Sequence, residues 1–254
     1  MSSIQKHADK DNVVIDYVVR VERLYKDYLL GTQRVPALKN VSLVVRPGEF
    51  LAIAGPSGSG KTTLLNIIGC LDSPTEGNIY IRDAAVSEMS EDSLARIRSQ
   101  RIGFIFQTFN LMPVLTAAEN VEYPLLNRAI ARRKRREIVE YFLRLVGLED
   151  YMGHRPNEMS GGQRQRVAIA RALAVDPSII LADEPTANLD TKTGQAILDL
   201  MREINELQNT TFIFSTHDPK VISMAKRTMR IASGEISNSG YDFSPVKLAG
   251  HADA

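Results

Sequence analysis

The hydrophobic and polar positions of this chain follow two periods that replace each other repeatedly along its length. Apolar runs typical of β-strands occupy 13–25, 41–45, 49–55, 78–82, 102–106, 179–183 and 211–216. Elsewhere apolar residues recur every three to four positions, which is the period of an amphipathic helix. The helices predicted in this way cover 61–71, 92–99, 116–127, 132–146, 161–174, 191–207 and 218–226. Strands that alternate with helices predict an α/β fold with a parallel sheet.

Three kinds of region depart from this alternation. The first fifty residues are rich in strand patterns, which predicts an added antiparallel layer. The stretch from about 108 to 160 is mainly helical and is expected to form an inserted subdomain. Residues 1–12 and 239–254 are polar and aperiodic, and we expect both to be flexible tails. The predicted domain therefore covers 13–238.

Composition and charge narrow the class of protein. Of the 254 residues, 44% are hydrophobic, and 31 basic against 30 acidic residues leave a net charge of +1. That balance gives no electrostatic reason to expect nucleic acid as a partner. The N-terminus lacks the apolar stretch of a signal peptide, and no segment approaches the ~20 apolar residues that span a bilayer. We therefore expect a soluble, cytoplasmic protein.

A glycine-rich segment lies between a predicted strand and the first predicted helix. It reads Gly55-Pro56-Ser57-Gly58-Ser59-Gly60-Lys61-Thr62-Thr63. Glycines let the backbone curl so that its N–H groups surround phosphate oxygens, and the N-terminus of the following helix adds its positive dipole. Lys61 is placed to reach the β- and γ-phosphates, and the Thr62 hydroxyl is placed to bind Mg²⁺. A flexible glycine-serine turn is the alternative, but the flanking strand and helix favour binding of a nucleoside triphosphate.

Two acidic residues and a histidine follow the ends of predicted strands. Asp183 and Glu184 end an apolar strand, and in an open parallel sheet this end faces the ligand crevice. Asp183 can bind Mg²⁺ there, directly or through water, whereas Glu184 can orient or deprotonate an attacking water. His217 follows the last predicted strand and could contact a γ-phosphate. A helix-capping turn is an equal alternative for His217, because Asp218-Pro219 also resembles a helix start.

A second anion-binding pattern opens the helix predicted at 161–174. It is formed by Ser160, Gly161, Gly162 and Gln163. A serine at the N-cap and two glycines direct several backbone N–H groups of the first turn towards a ligand. One nucleotide rarely needs two such sites in one chain. The second site is explained best by a nucleotide that another copy holds.

The segment that starts at Met159 and runs through SGGQRQRVAIARAL resembles the signature motif of ABC-transporter ATPases, LSGGQ followed by QRVAIARAL. The resemblance covers about residues 13–237 and includes every family motif in the expected order. It implies the ABC ATPase fold, which is a P-loop NTPase with a RecA-like parallel-sheet core, an N-terminal antiparallel β layer and an inserted α-helical subdomain. Met159 departs from the usual leucine, but both side chains are apolar and similar in volume.

The resemblance also implies roles for the motif residues. Residues 55–63 match the Walker A loop and 179–184 match Walker B with its catalytic glutamate. Gln107 matches the Q-loop glutamine, His217 the switch histidine and Asp190 the aspartate of the D-loop. The catalytic residues implied are Lys61, Gln107, Glu184 and His217.

The resemblance predicts the ligands as well. Mg²⁺ is expected near Thr62, Gln107 and Asp183. ATP is expected between the Walker A loop of one copy and Ser160, Gly161, Gly162 and Gln163 of another copy, in a head-to-tail dimer. The aromatic residue that stacks on adenine matches Tyr25, with Tyr28 as the alternative.

Within the family, three runs are similar to the ATPases of lipoprotein-release and macrolide-export systems, the LolD/MacB type. These are LLNIIGCLDSPTEG, IGFIFQTFNLMPVLTAAENVEYPL and ILADEPTANLD. The expected partners are a second copy or a paralogue, and a transmembrane permease at whose cytoplasmic face the chain would sit. The expected role is export, lipoprotein extraction or mechanotransmission. The alternatives are a cell-division ATPase of the FtsE type and a soluble ABC ATPase outside transport.

One charged run has two interpretations. Residues 132–136 read Arg-Arg-Lys-Arg-Arg, which could contact nucleic acid or anionic lipid. A solvated helix face is the favoured interpretation, although the position of the run in the helical subdomain leaves lipid contact open.

Overall fold

The computed structural model describes residues 16–237, so the tails predicted at 1–12 and 239–254 lie outside the described residues. The strands are β1 (Val19–Leu30), β2 (Gln33–Val45), β3 (Phe50–Ala54), β4 (Glu76–Ile81), β5 (Ala84–Ala85), β6 (Ile102–Ile105), β7 (Ile179–Asp183), β8 (Thr211–Thr216), β9 (Arg227–Ala232) and β10 (Glu235–Ser237). The α-helices are α1 (Lys61–Ile68), α2 (Glu91–Arg101), α3 (Ala117–Glu122), α4 (Arg132–Leu145), α5 (Gly161–Ala174), α6 (Thr191–Gln208) and α7 (Pro219–Met224). Short 3-10 turns lie at Tyr123–Leu125, Glu149–Tyr151 and Pro156–Glu158.

The strands form two sheets, which confirms the predicted α/β fold with an antiparallel layer. The larger sheet has the order β10-β9-β3-β8-β7-β6, and only its β10–β9 pair is antiparallel. The smaller sheet has the order β2-β1-β4-β5 and is antiparallel throughout. In the larger sheet, β3, β6, β7 and β8 all end at the same edge, and the segments that follow these strands carry the candidate site residues.

Strand β3 lies in the middle of the parallel sheet and is buried along its whole length. Phe50 on one face packs against Phe214 and Phe212, with ring centroids 4.5 and 5.6 Å apart. Leu51 and Ile53 on the other face belong to the apolar cluster that contains the antiparallel sheet and α1. Full burial of each such side chain contributes about 1.5–3 kcal/mol to folding. The segment after β3 therefore starts from a rigid point.

The antiparallel layer contains a hairpin that the sequence did not predict. The segment 26–35 carries no clear alternation of apolar and polar residues, so the pattern predicts no strand there. In the structure β1 continues to Leu30, a turn at Gly31 and Thr32 reverses the chain, and Leu30 pairs with Gln33. Both strands of this tip are exposed, so no buried face imposes the period of two that identifies a strand.

The remaining differences lie at element ends and at the C-terminal side of the sheet. Helix α1 ends at Ile68 rather than near residue 71, and α7 covers only Pro219–Met224 of the predicted 218–226. Strands β9 and β10 were not predicted. Their sequences, RTMRIA and EIS, contain few apolar residues, and only Met229 and Ile231 of β9 are buried.

The segment between β6 and α5 contains helices α3 and α4 and the three 3-10 turns. The buried Asn120 on α3 stabilises the start of this segment, because its side-chain amide donates to the carbonyls of Met112, Leu115 and Thr116. Helices α3 and α4 both pack against α5. Within residues 16–237, no helix is both long and apolar enough to cross a membrane.

The basic run at 132–136 forms the first turns of α4. Arg133 and Lys134 pair with Glu137, and Arg136 pairs with Glu140, at spacings of three or four residues. The arginine side chains of these pairs are more than 80% exposed, so the pairs contribute little to stability. Arg133, Lys134 and Arg136 thus lie on an exposed helix face, whereas Arg135 is mostly buried and pairs with Glu122 at 3.0 Å.

Candidate functional site

The glycine-rich loop connects the buried end of β3 to the first turn of α1. Gly60 has φ = +103°, and a Cβ atom there would lie 2.6 Å from the carbonyl oxygen of Ala37 on β2. Only glycine fits both the backbone angle and the contact. Lys61 is 6% exposed, and its ammonium donates to the carbonyl oxygens of Gly55 and Pro56 at 2.8 Å. These bonds hold the lysine along the start of the loop.

A turn between β9 and β10 supports this loop, and sequence reasoning missed it. The backbone N–H of Gly234 donates to the Ser59 carbonyl at 3.0 Å, and the Gly234 carbonyl accepts from Lys39 N–H on β2 at 2.8 Å. The turn therefore connects the phosphate loop to the antiparallel layer. The only sequence signal was the Ser233-Gly234 pair, which is common in ordinary turns.

Thr62 and Asp183 are brought together although 121 residues separate them. The Thr62 hydroxyl lies 3.2 and 3.3 Å from the two carboxylate oxygens of Asp183. Oxygen ligands of this kind suit Mg²⁺, which commonly binds one or two carboxylates plus substrate phosphates. In the described part of the chain, no cluster of three or more His, Cys, Asp or Glu side chains could hold a metal ion. Thr62 and Asp183 therefore fit a Mg²⁺ ion that binds together with a nucleotide.

Glu184 and His217 contact each other directly. His217 Nδ1 lies 2.6 Å from one Glu184 carboxylate oxygen, and the Thr216 hydroxyl donates to the other at 3.2 Å. Glu184 has φ = +45°, a strained angle for a residue with a side chain. Its N–H donates to Ser215 O on β8, which fixes this geometry. The His217 side chain is 68% exposed and the Glu184 side chain only 14%, so His217 is the member of the pair that solvent reaches.

Gln107 follows β6, the edge strand beside β7. The register pairs Ile105 with Ala182, so the chain reaches Gln107 next to the acidic pair at the end of β7. The Asn188 side-chain amide donates to the Gln107 carbonyl oxygen at 2.9 Å. The structure thus brings the Gln107 backbone to the same edge of the sheet as Asp183 and Glu184.

Ser160 caps the N-terminus of α5 in a capping box. The Ser160 N–H donates to the Gln163 side-chain oxygen at 2.8 Å, and Gln163 N–H donates to the Ser160 hydroxyl at 3.3 Å. A Cβ atom at Gly162 would lie 2.4 Å from the Thr193 methyl carbon on α6, so this turn packs closely against α6. Ser160 itself is exposed.

This turn does not meet the phosphate loop of its own chain. Helix α5 packs on β6, which lies three strand positions from β3. At about 4.8 Å per strand, these positions correspond to roughly 14 Å. Across residues 16–237, no hydrogen bond joins 160–163 to 55–63. One copy therefore contains two anion-binding patterns at separate places.

Asp190 is the N-cap of α6. Its carboxylate accepts from the N–H groups of Lys192 and Thr193 at 3.1 and 3.0 Å. Hydrogen bonds with Thr193 and Lys192 hold the pKa of Asp190 below its usual range. This exposed carboxylate is ionised at neutral pH and shapes the start of α6.

The two tyrosines proposed for adenine differ in their contacts. Both are 38% exposed, so exposure does not separate them. The Tyr28 hydroxyl donates to Asp72 at 2.8 Å, and burial is the largest cause that raises its pKa. Tyr28 is thereby tied to the segment after α1. No such side-chain bond holds Tyr25 among the described residues.

Comparison with known sequences agrees with this geometry. The sequence profile described as ABC transporter matches residues 38–187, which is more than half of the chain. The chain belongs to the ABC transporter family. The match covers the phosphate loop, the Gln107 segment, the Ser160 turn and the acidic pair, so it includes most of the site described above.

Two relatives and one solved structure show which ABC transporter proteins the chain is similar to. The uncharacterized ABC transporter ATP-binding protein MJ0796 of Methanocaldococcus jannaschii is 48% identical over 223 residues, which are 86% of this chain and 95% of that protein. The macrolide export ATP-binding/permease protein MacB of Marinobacter nauticus is 44% identical over 219 residues, which are 86% of this chain and 34% of that longer protein. The dimeric, post-hydrolysis structure of the MJ0796 cassette bound to ADP and Pi superposes with a TM-score of 0.80 at 46% identity, covering 88% of this chain and 100% of that one.

The tyrosines of this ABC transporter chain can be separated by substitution. Stacking of a base on an aromatic ring contributes about 1–3 kcal/mol, so Tyr25→Ala is expected to raise the Kd for ATP about tenfold. Tyr28→Ala should raise it less than Tyr25→Ala, because Tyr28 is held by Asp72. Isothermal titration of ATP measures both, and Tyr28→Phe, which keeps the ring, is the control. A larger loss with Tyr28→Ala than with Tyr25→Ala would assign the adenine contact to Tyr28.

Proposed function

We propose that two copies of this chain bind two ATP molecules between them, head to tail, and hydrolyse them to drive a transmembrane partner. The observation that supports this most strongly is the separation within one copy of the phosphate loop from the Ser160 turn. Two such patterns in one chain are both used if each nucleotide lies between the loop of one copy and the Ser160 turn of the other. A twofold dimer with identical contact surfaces provides this arrangement twice.

The relatives support the same proposal. The dimeric MJ0796 cassette holds ADP and Pi, the products of ATP hydrolysis. The MacB relatives combine an ATP-binding part and a permease in one protein, and this chain spans about a third of their length. We extend both properties to this chain: an ATP-dependent dimer, and a permease supplied by a separate subunit.

The phosphate side of the site would work through the loop and Lys61. The backbone N–H groups of 55–63 and the N-terminus of α1 would bind the β- and γ-phosphates. The Lys61 ammonium, now bonded to Gly55 and Pro56, would contribute positive charge to the same phosphates. Mg²⁺, held by Thr62, Asp183 and Gln107, would neutralise charge between the phosphates when bound.

The water side of the site would work through Glu184 and His217. Glu184 would accept a proton from the attacking water, or orient it, from the carboxylate that Thr216 and His217 position. Because His217 Nδ1 faces Glu184, its Nε2 is the nitrogen available for a γ-phosphate oxygen. His217 and Lys61 would then stabilise the negative charge of the transition state.

The proposal extends to the domain bounds, the cellular location and the transport role of the chain. We propose a domain over 13–238 whose helical segment 108–160 transmits motion from Gln107 to the partner. The chain would lie at the cytoplasmic face of the membrane. Its work would be export, lipoprotein extraction or mechanotransmission, with an FtsE-like role and a soluble non-transport role as the alternatives. The names of the MacB relatives, which are macrolide-export proteins, support export among these.

Purification of the tagged chain from detergent-solubilised membranes tests the partner. We expect a protein with several transmembrane helices to co-purify, and ATP hydrolysis to change when the two are separated. An identical preparation of the chain with Gln107→Ala should retain the partner and lose this change. A chain that is recovered only without membrane protein, and hydrolyses ATP unaided at full rate, would instead support a soluble ABC ATPase.

A further inference from the structure

The turn that carries Gln107 is held from outside by three hydrogen bonds to its backbone. We define the Gln107 loop as residues 107–110. Asn188 donates to the carbonyl oxygen of Gln107 at 2.9 Å, while Arg171 donates to Phe109 O at 2.8 Å and to Asn110 O at 2.5 Å. The donors come from α5 and from the turn before α6, more than sixty residues away along the chain. Arg171 lies in the run QRVAIARAL that follows the signature motif, and the resemblance gives this arginine no role of its own.

The backbone conformation of the Gln107 loop is energetically unfavourable for the residues that adopt it. Phe109 and Asn110 have φ = +64° and +48°, two consecutive left-handed residues with side chains. This backbone region is unfavourable for such residues, particularly for a bulky phenylalanine, and persists where neighbours fix it. The turn has internal hydrogen bonds, from Phe109 N–H to Phe106 O and from Asn110 N–H to Thr108 O. These do not reach the carbonyls that Arg171 and Asn188 bind.

Two arginines on helix α5 contact this loop. Arg164 and Arg171 are seven residues apart, so they lie on one face of the helix. The Arg164 guanidinium lies 5.1 Å from the centre of the Phe109 ring, a cation–π contact on the same turn that Arg171 binds. Gly103 on β6 permits the close approach, because a Cβ there would lie 2.7 Å from Ala172 O.

An arginine suits this position for a physical reason. Its planar fork can donate two parallel hydrogen bonds to two adjacent carbonyls, which a lysine ammonium does with less geometric precision. Burial lowers the pKa of Arg171, yet a guanidinium stays charged at neutral pH. Its two carbonyl bonds therefore persist across the pH range in which an ATPase works.

We propose that Arg171 and Asn188 are positioning residues that fix the Gln107 loop at the edge of the nucleotide site. This inference rests on the proposed function, because it concerns how Gln107 reaches the metal and the γ-phosphate. Helix α5 carries the Ser160 turn at its N-terminus and Arg171 near its C-terminus. The same helix therefore connects the turn that would meet the second copy's ATP to the loop that would serve its own.

Arg171→Met removes both hydrogen bonds while keeping an apolar chain of similar length. We expect the Kd for ATP to stay within about twofold of wild type, kcat to fall about tenfold, and the Mg²⁺ concentration for half-maximal rate to rise several-fold. We also expect faster hydrogen–deuterium exchange in the peptide covering 106–111 of the nucleotide-free protein. That exchange measurement does not depend on ATP hydrolysis.

Arg166→Met is the matched control. Arg166 lies on the same helix and donates to the carbonyl oxygen of Val146 at 2.8 Å, away from the Gln107 loop. It should cost similar stability in thermal unfolding, with kcat, Mg²⁺ dependence and exchange at 106–111 all unchanged. Arg171→Lys should recover part of the loss, because an ammonium can still donate to one or both carbonyls.

Asn188→Ala keeps the test decisive if Arg171→Met does not fold. Asn188 is exposed, so its loss should leave the fold intact while 106–111 exchanges faster. If Arg171→Met or Asn188→Ala behaved like Arg166→Met in exchange and in Mg²⁺ dependence, the proposal would be overturned. A wild-type chain that hydrolyses no ATP would instead refute the proposed function, and the exchange result would still decide whether Arg171 fixes the loop.

Discussion

Glu184→Gln is expected to lower ATP hydrolysis by about 100- to 10,000-fold, the range in which a general base contributes to catalysis. The amide keeps the size of the carboxylate, so the contacts with Thr216 and His217 can persist. It cannot accept a proton from water at neutral pH. The loss should therefore fall on kcat, with the Kd for ATP nearly unchanged.

The same variant should trap the dimer. ATP that bridges two copies favours the closed state as long as its γ-phosphate remains. Size-exclusion chromatography with ATP should show Glu184→Gln as a dimer and wild type as a mixture that returns to monomer. Glu137→Gln makes the same chemical change on the exposed face of α4 and should leave both measurements at wild-type values. A Glu184→Gln chain that hydrolyses at the wild-type rate would remove Glu184 from the chemistry.

Ser160→Arg is expected to lower ATP hydrolysis at least about 100-fold. The substitution removes preorganised hydrogen-bond donors to the phosphates and adds a bulky side chain in their place. Binding of ATP to one copy should not change, since the Ser160 turn lies apart from the phosphate loop of its own chain. Loss of the N-cap costs about 0.5–2 kcal/mol, which a domain of ordinary stability survives. Titration of ATP into dilute protein measures binding to single copies. An ATP hydrolysis assay at high protein concentration measures the activity of the dimer.

Ser90→Arg is the control for this substitution. Ser90 is an exposed N-cap serine on α2 whose side chain makes no capping hydrogen bond. It should bind and hydrolyse ATP as wild type does. If Ser160→Arg reduced ATP binding by single copies as strongly as hydrolysis, the Ser160 turn would act within its own chain.

The elements that the sequence predicted are those with a strong local signal. The run 49–55 is apolar at every core position, and the loop after it needs glycine at Gly60, so strand, loop and helix were all recognisable. Parallel order then explains why residues after β3, β6, β7 and β8 share one edge. Thr62 and Asp183 follow two of these strands, so the parallel strand order alone predicts that they lie at the same edge of the sheet.

The features that the sequence did not predict depend on tertiary contacts. The hairpin at 26–35 is exposed on both sides, and β9 contributes only two buried residues to the sheet. The hydrogen bond between Glu184 and His217 depends on two strand ends meeting, and spacing along the chain does not specify it. The left-handed angles at Phe109 and Asn110 accompany hydrogen bonds from Arg171 on a distant helix, which the local sequence does not reveal.

The most direct test of the composite site mixes two inactive variants. Ser160→Arg keeps its phosphate loop and Glu184, and Glu184→Gln keeps its Ser160 turn. A mixed dimer therefore contains one site with every required group. Random mixing before ATP is added makes half of the dimers mixed, so activity should recover to about a quarter of the wild-type rate. A mixture that stays as inactive as its two components would contradict the proposal that each ATP lies between two copies.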